Sequence, residues 1–307
     1  MKKLICTCYA GSPISHTELN DLPLFNGHEK MPYMIEITEV PDINKDGATD
    51  LSDIELLLRS DNNVLTLLDG DGDFRSEEST AFLEEADIVV TNPPFSLFSE
   101  YVSQLVAYNK KFLIIGSMNA LHYRDIFPLI KQNKLWTGYG FNKTFSFRMP
   151  DYYKSDLIID GAKYGKVPAI CWFTNLDIQK RHEKLILYKT YDKNSYPKYD
   201  NFDAINVNRI SDIPRDYYGY IGVPDSFMNV YDPSQFEIVG RSGDTDWVFN
   251  DCSFFTPPKE ELINAYKKAN KTWRLQNVYL LDENGKPVIV YSRIFIKRKD
   301  IDENPAT

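Results

Sequence analysis

The feature that most restricts the fold is an alternation of short apolar runs with amphipathic segments over the first 132 residues. Residues 4–9 form a short apolar run, and residues 33–40 alternate apolar with polar side chains. A helical segment opens at Asp53. Residues 64–68 read as a strand, and residues 77–86 as a helix with Phe82 and Leu83 inward. Residues 87–91 are β-branched, the composition of a central parallel strand. A helix over 98–108, a strand over 112–116 and a helix over 123–132 follow. Strands and helices at this spacing predict an α/β fold: a parallel sheet with helices on both faces. From Trp136 the pattern changes, and residues 145–147 and 169–173 read as an antiparallel pair closing the sheet. Beyond about Tyr188 the chain is rich in Tyr, Asn, Asp and Pro, with apolar runs at 236–239 and 288–291. The boundary falls near residue 190, dividing a first domain (1–190) from an α+β lobe (191–307).

Composition then removes whole classes. With 43% hydrophobic and 26% charged residues in 307, the chain is globular in type. No apolar run approaches the roughly 18–20 residues of a membrane span. The start is too polar at Thr7 and Tyr9 for a secretory leader, which predicts a cytoplasmic protein. Four cysteines (Cys6, Cys8, Cys171, Cys252) are too few for a disulfide scaffold and read as buried free thiols. The net charge of −9 argues against a generic nucleic-acid coat. Its distribution is uneven: residues 1–130 hold 9 Lys/Arg against 21 Asp/Glu, and residues 131–307 hold 26 against 23. That fits catalysis in an acidic lobe and polyanion contact in a basic one, and chance asymmetry gives the same picture.

The chemistry concentrates at Asn92-Pro93-Pro94-Phe95, where the β-branched run ends in two prolines, an aromatic residue and a helix. Ligands of open α/β sheets bind beyond the carboxyl ends of the strands. Two prolines fix two φ angles and remove two N–H donors, so the turn presents its carbonyls rigidly. The Asn92 side-chain oxygen and the Pro93 carbonyl are acceptors suited to a planar NH2 group, and Phe95 offers a face for a flat ring. Accepting both N–H bonds turns the nitrogen lone pair out of conjugation and toward an electrophile. The competing reading is a strand-capping turn whose prolines only delay the helix.

This turn resembles that of the amino-methyltransferases. Together with residues 96–98, 112–116, 126–130, 70–76, 172–176 and 235–240, it resembles the EcoRI-type adenine-N6 DNA methyltransferases over nearly the whole chain. The resemblance implies a Rossmann-like S-adenosylmethionine-dependent sheet, double-stranded DNA as partner, and a flipped adenine stacked on Phe95. It makes the lobe after residue 190 the target-recognition lobe. It also matches Asp73 and Phe74 to the pair that holds the cofactor's adenine, with Tyr9 beside the adenosine. Alternatively, Asp69, Asp71 and Asp73 solvate a glycine-bearing loop and Tyr9 is a packing residue. The family has a further strand and cofactor loop upstream of the counterpart of residues 4–9. Their absence is expected to reflect a product that begins upstream, a separately encoded polypeptide or a decayed remnant; the expectation adopted is a truncated reading of a longer enzyme.

Residues 42–53 fit a D-x-N-x-D-G loop with an acid at position twelve: Asp42, Asn44, Asp46, the Ala48 carbonyl and Asp53. Such oxygens suit a structural calcium ion, and equally an acidic turn that caps a helix through Ser52. The four histidines (His16, His28, His122, His182) lack metal-ligand spacing, and no Pro-Cys motif supports cytosine methylation. Basic clusters at 180–184, 259–274 and 297–299 suit phosphate contacts or solvated faces, and Tyr217, Tyr218 and Tyr220 suit base stacking or packing. Three readings therefore stand: an adenine-N6 DNA methyltransferase, a methyltransferase acting on RNA bases or protein amides, and a non-catalytic DNA-binding remnant.

Overall fold

A computed structural model describes residues 3–10, 32–39, 41–48, 53, 56, 65–149, 154, 157–269 and 274–299. His16, His28, most of the helix expected from Asp53 and positions 49–52 of the acidic loop lie outside the described residues. The chain divides into two compact units, residues 1–87 and 88–307.

The first unit holds β1 (Leu4–Cys8), β2 (Tyr33–Ile37) and β3 (Leu65–Leu67) in the order β1-β2-β3. Both neighbouring pairs are antiparallel, with Cys6 opposite Ile35 and Met34 opposite Thr66. This corrects the expected parallel arrangement. The strict alternation of β2, with Tyr33, Ile35 and Ile37 buried between half-buried Met34 and Glu36, is the pattern of an antiparallel strand with one covered face. Because β1 and β3 both oppose β2, their carboxyl ends lie at one edge of this sheet. Helix α1 (Glu77–Glu85) follows, capped by Ser76, whose Oγ accepts from the Ser79 N–H at 3.1 Å.

The second unit opens with β4 (Ile88–Thr91), α2 (Phe98–Ala107), β5 (Lys111–Ser117), α3 (Phe127–Lys131) and β6 (Trp136–Thr137). A three-stranded insertion, β7 (Phe145–Arg148), β8 (Leu157–Ile159) and β9 (Ala162–Val167), precedes β10 (Ile170–Thr174). The sheet order is β4-β5-β10-β6, with β4 parallel to β5 and β10 antiparallel to both of its neighbours. Two expectations are corrected here. Residues 145–148 pair with β9, and the strand beside β10 is β6, whose Trp136 indole donates to the Leu176 carbonyl at 2.9 Å. And β4 is an edge strand among the described residues, with Ile88 and Val90 53% and 66% exposed, not a buried central one. Its β-branched composition secures the strand without securing neighbours on both sides.

A second sheet, β11 (Ala204–Asn206), β12 (Tyr220–Val223), β13 (Phe236–Arg241) and β16 (Ile294–Arg298), has the order β11-β12-β16-β13. The hairpin of β14 (Tyr279–Leu281) and β15 (Pro287–Ile289) stands beside it in sequence. Phe295 packs against Tyr199, Phe202, Trp247 and Phe254 in one aromatic core. The protein is thus α/β with mixed sheets and flanking helices. Residue 190 falls inside the second unit. Among the described residues no helix is long and apolar enough to cross a membrane. Of the cysteines, Cys171 is buried, whereas Cys6 is exposed, contrary to expectation.

Candidate active site

The turn at 92–95 is built from the sheet upward. Phe98, at the start of α2, is fully buried and lies on β5 and β10, with its ring 5.0 Å from that of Phe173. Gly116 of β5 makes this approach possible: a Cβ there would overlap the Phe98 ring. The seated Phe98 fixes where α2 begins, and a 3-10 turn (Phe95–Leu97) joins it to the prolines. The far end of the sheet is tied by Asn175, which accepts from the Phe112 N–H and donates to the Lys110 carbonyl, both at 2.8 Å. Thr174 adds a bond to the Phe112 carbonyl at 2.6 Å. The run 172–176 thus acts on sheet geometry.

Pro93 is buried, while Asn92, Pro94 and Phe95 are exposed, Phe95 at 40%. The Pro94 carbonyl accepts from the Leu97 N–H at 3.0 Å. No described residue donates to the Asn92 side-chain oxygen or to the Pro93 carbonyl. The Asn92 side chain is exposed beside an exposed aromatic face at the carboxyl end of β4, and the Pro93 carbonyl belongs to a buried residue. That arrangement can hold an amino group by both of its N–H bonds.

In the first unit the three expected cofactor residues come together. Cys8 and Tyr9 leave β1 at the same sheet edge where the 68–74 loop leaves β3, and Ala10 N–H donates to the Asp71 carbonyl at 3.0 Å. Gly72, at φ +75°, packs so tightly that a Cβ would meet the Cys8 carbonyl at 3.1 Å and Tyr9 Cα at 3.2 Å. Arg75 forks onto Asp73, its Nε 2.9 Å from Oδ1 and its Nη2 2.7 Å from Oδ2, and lies 5.3 Å over the Phe74 ring. The Arg75 side chain, followed by the Arg75 N–H, holds the Asp73 carboxyl below its ordinary range. The Asp73 carboxylate is thus ionised, and its Oδ2 takes only one of these bonds.

The acidic loop does not support calcium. Asp42 accepts from the Asp46 and Gly47 N–H groups, Asn44 from Asp46 N–H, Asp46 from Ala48 N–H and the Asn44 amide, and Asp53 from Ile43 and Asn44 N–H. The Asp42, Asn44, Asp46 and Asp53 oxygens thus accept bonds from within the loop. Among the described residues no group of three or more His, Cys, Asp or Glu is placed to hold a metal ion.

Sequence reasoning missed a second feature. A cavity of about 290 Å³ is lined by His122, Arg241, Asn277 and Tyr291 among others. His122 Nε2 lies 2.8 Å from Asp225 Oδ2. Arg241, 8% exposed, donates to the His122 carbonyl at 2.8 Å, and its buried Nε has no partner among the described residues. Burial lowers the pKa of this guanidinium, opposed by Asp244 and Asp225.

The chain has known relatives. Residues 1–299 match the family model described as "Adenine-specific methyltransferase EcoRI". The chain is 49% identical over 178 residues to the type II methyltransferase M.EcoRI of Escherichia coli, covering 55% of this chain and 55% of that protein. It is 42% identical over 248 residues to M.MgeORF184P of Mycoplasma genitalium (77% and 72% covered), and 40% identical over 181 to M.MpnI of Mycoplasma pneumoniae (56% and 57%). The match thus spans little more than half the length of the E. coli and M. pneumoniae relatives. No solved structure matches significantly.

Proposed function

The chain belongs to the EcoRI family of adenine-specific methyltransferases, and on that premise we propose that it moves a methyl group to the exocyclic N6 of an adenine flipped out of double-stranded DNA. The observation that carries this reading is the turn itself, where the Asn92 oxygen and the Pro93 carbonyl have no donor among the described residues and Asn92 and Phe95 are exposed. Asn92 and Pro93 accept the two N6 hydrogens and stabilise the positive charge that grows on nitrogen as it captures carbon, and Pro94 keeps the turn rigid. Phe95 stacks on the extruded purine. The methylated nitrogen then sheds one proton to solvent. S-adenosylmethionine, when bound, supplies the methyl carbon. Asp73 would hold the cofactor's adenine amine, Phe74 and Tyr9 its ring.

The same reading takes the β4-β5-β10-β6 sheet as part of a Rossmann-like methyltransferase sheet, residues 1–190 as the catalytic domain, and residues 191–307 as the target-recognition lobe. The open edge of β4 among the described residues, with Ile88 and Val90 exposed, favours a refinement: a further strand, from an upstream-encoded polypeptide, pairs there and raises turnover above that of the chain alone. The experiment is a comparison of wild type with Asn92→Ala. Turnover should fall about a hundredfold or more, the scale for removing a group aimed at developing charge, with duplex affinity held within a few-fold. Equal turnover in the variant removes Asn92 from the chemistry.

A further inference from the structure

The β7-β9-β8 insertion has no role in the reading above. Its tip is a two-residue turn, Asp160 at φ +49° and Gly161 at φ +80°, the pairing that closes a tight hairpin. The register sets Ile159 opposite Ala162, Ile158 opposite Lys163 and Phe147 opposite Gly165. Alternation then sends Ile158 to one face and Ile159 to the other. Ile158 is 63% exposed and Ile159 44%, and Phe147 and Val167 are also exposed. Apolar side chains crowded on so small a sheet are costly to leave in water, which marks the surface as one that meets something.

Position and charge say what it meets. The chain enters the insertion from β6, where Gly138 N–H donates to the Trp172 carbonyl at 2.8 Å, and the Phe145 ring stands 6.4 Å from Trp172. It leaves into β10, where Met118 N–H donates to the Ala169 carbonyl at 2.9 Å and Ile170 opposes Ser117. Both crossings lie at the carboxyl end of β5. Because β4 runs parallel to β5, with Thr91 beside Ile114, this edge is also the one that carries Asn92–Phe95. In a chain of net charge −9, residues 143–167 carry Lys143, Arg148, Lys154, Lys163 and Lys166 against Asp151, Asp156 and Asp160. Lys143, Arg148, Lys154 and Lys166 are exposed, and none forms an ion pair with a described residue.

We propose that this hairpin is a DNA-contact arm that sets Ile158 and Ile159 into a groove beside the extruded adenine while Arg148, Lys154 and Lys166 meet the flanking phosphates. The inference rests on the preceding reading of duplex DNA as substrate and adds a contact outside the 191–307 lobe. Apolar side chains in a groove gain by excluding water from base edges and sugars, a contribution insensitive to salt. Cations on phosphates release counterions, and each adds about 0.9 to the slope of log affinity against log salt.

The test measures affinity of the full chain for a duplex substrate across a salt series. Ile158→Ser/Ile159→Ser should weaken binding roughly tenfold at every salt concentration with an unchanged slope. Arg148→Gln/Lys166→Gln should flatten the slope by nearly two. Melting temperatures should match the wild type, because the substituted side chains are exposed. Variants that fold and bind within twofold of wild type, with the same slope, overturn the arm. So does a wild-type dimer that the serine variant dissociates while its DNA affinity stays unchanged. A wild-type chain that binds no duplex overturns the reading of DNA as substrate, and the arm with it; wild-type binding with unaltered variants overturns the arm alone.

Discussion

Asn92 is the residue to which the proposed chemistry assigns the acceptor oxygen, and that role divides by substitution. Asn92→Asp keeps an acceptor oxygen and should retain measurable turnover, whereas Asn92→Ala should lose it; initial rates with saturating duplex separate the two. Lys180 offers a prediction of a different kind. It is 8% exposed, its Nζ donates to the Gly138 carbonyl at 3.0 Å, and burial lowers its pKa to about 8, opposed by Cys171. The folded state therefore loses this proton before the unfolded state, whose lysine titrates near 10.5. Below about pH 8 the buried charge is a penalty, and it is relieved as pH rises toward 10.5. Lys180→Met should stabilise the protein at pH 7 by at most about 3 kcal/mol, less about 1 kcal/mol for the lost hydrogen bond. Urea denaturation at pH 7 and pH 10 should show that advantage shrinking. An advantage that grows with pH contradicts the assigned shift.

At the scale of elements, most strands were legible because apolar runs mark them. The stretches at 4–9, 33–40, 64–68, 87–91 and 112–116 correspond to β1 through β5 within a few residues. Their partners were not legible. Periodicity says which face of a strand is covered and nothing about which strand lies beside it or in what direction. Hence β1–β3, expected parallel, are antiparallel, and residues 145–147, expected beside 169–173, pair with β9. The prolines at 93 and 94 were readable because their restriction is local. Gly116 was not, since its meaning depends on the Phe98 ring arriving from α2. Gly116→Val should cost about 1–3 kcal/mol through overpacking, read as a lower urea midpoint, and should reduce methylation by shifting the start of α2. A midpoint equal to wild type would show that the ring has room. Asn175→Ala removes two bonds that tie the start of β5, and about 1–3 kcal/mol should go with them, measured the same way.

Across the whole molecule, the cavity shows how distance in sequence hides a site. His122 meets Asp225 across 103 positions and Arg241 across 119, separations that no local pattern reports. The candidate cofactor residues were legible one at a time, yet only the shared direction of β1 and β3, each antiparallel to β2, brings Tyr9 to the loop of Asp73 and Phe74. Asp73→Asn should weaken S-adenosylmethionine binding about tenfold by replacing an ionised acceptor with a neutral amide, seen by titration calorimetry; unchanged affinity would leave the carboxylate to Arg75 alone. Methylation at one adenine nitrogen is the activity proposed for this chain. Duplex DNA incubated with the protein and S-adenosylmethionine, digested to nucleosides and weighed by mass spectrometry, should contain N6-methyladenine with the wild type and at least about a hundredfold less with Asn92→Ala. A wild-type digest without N6-methyladenine, or equal yields from the two proteins, contradicts it.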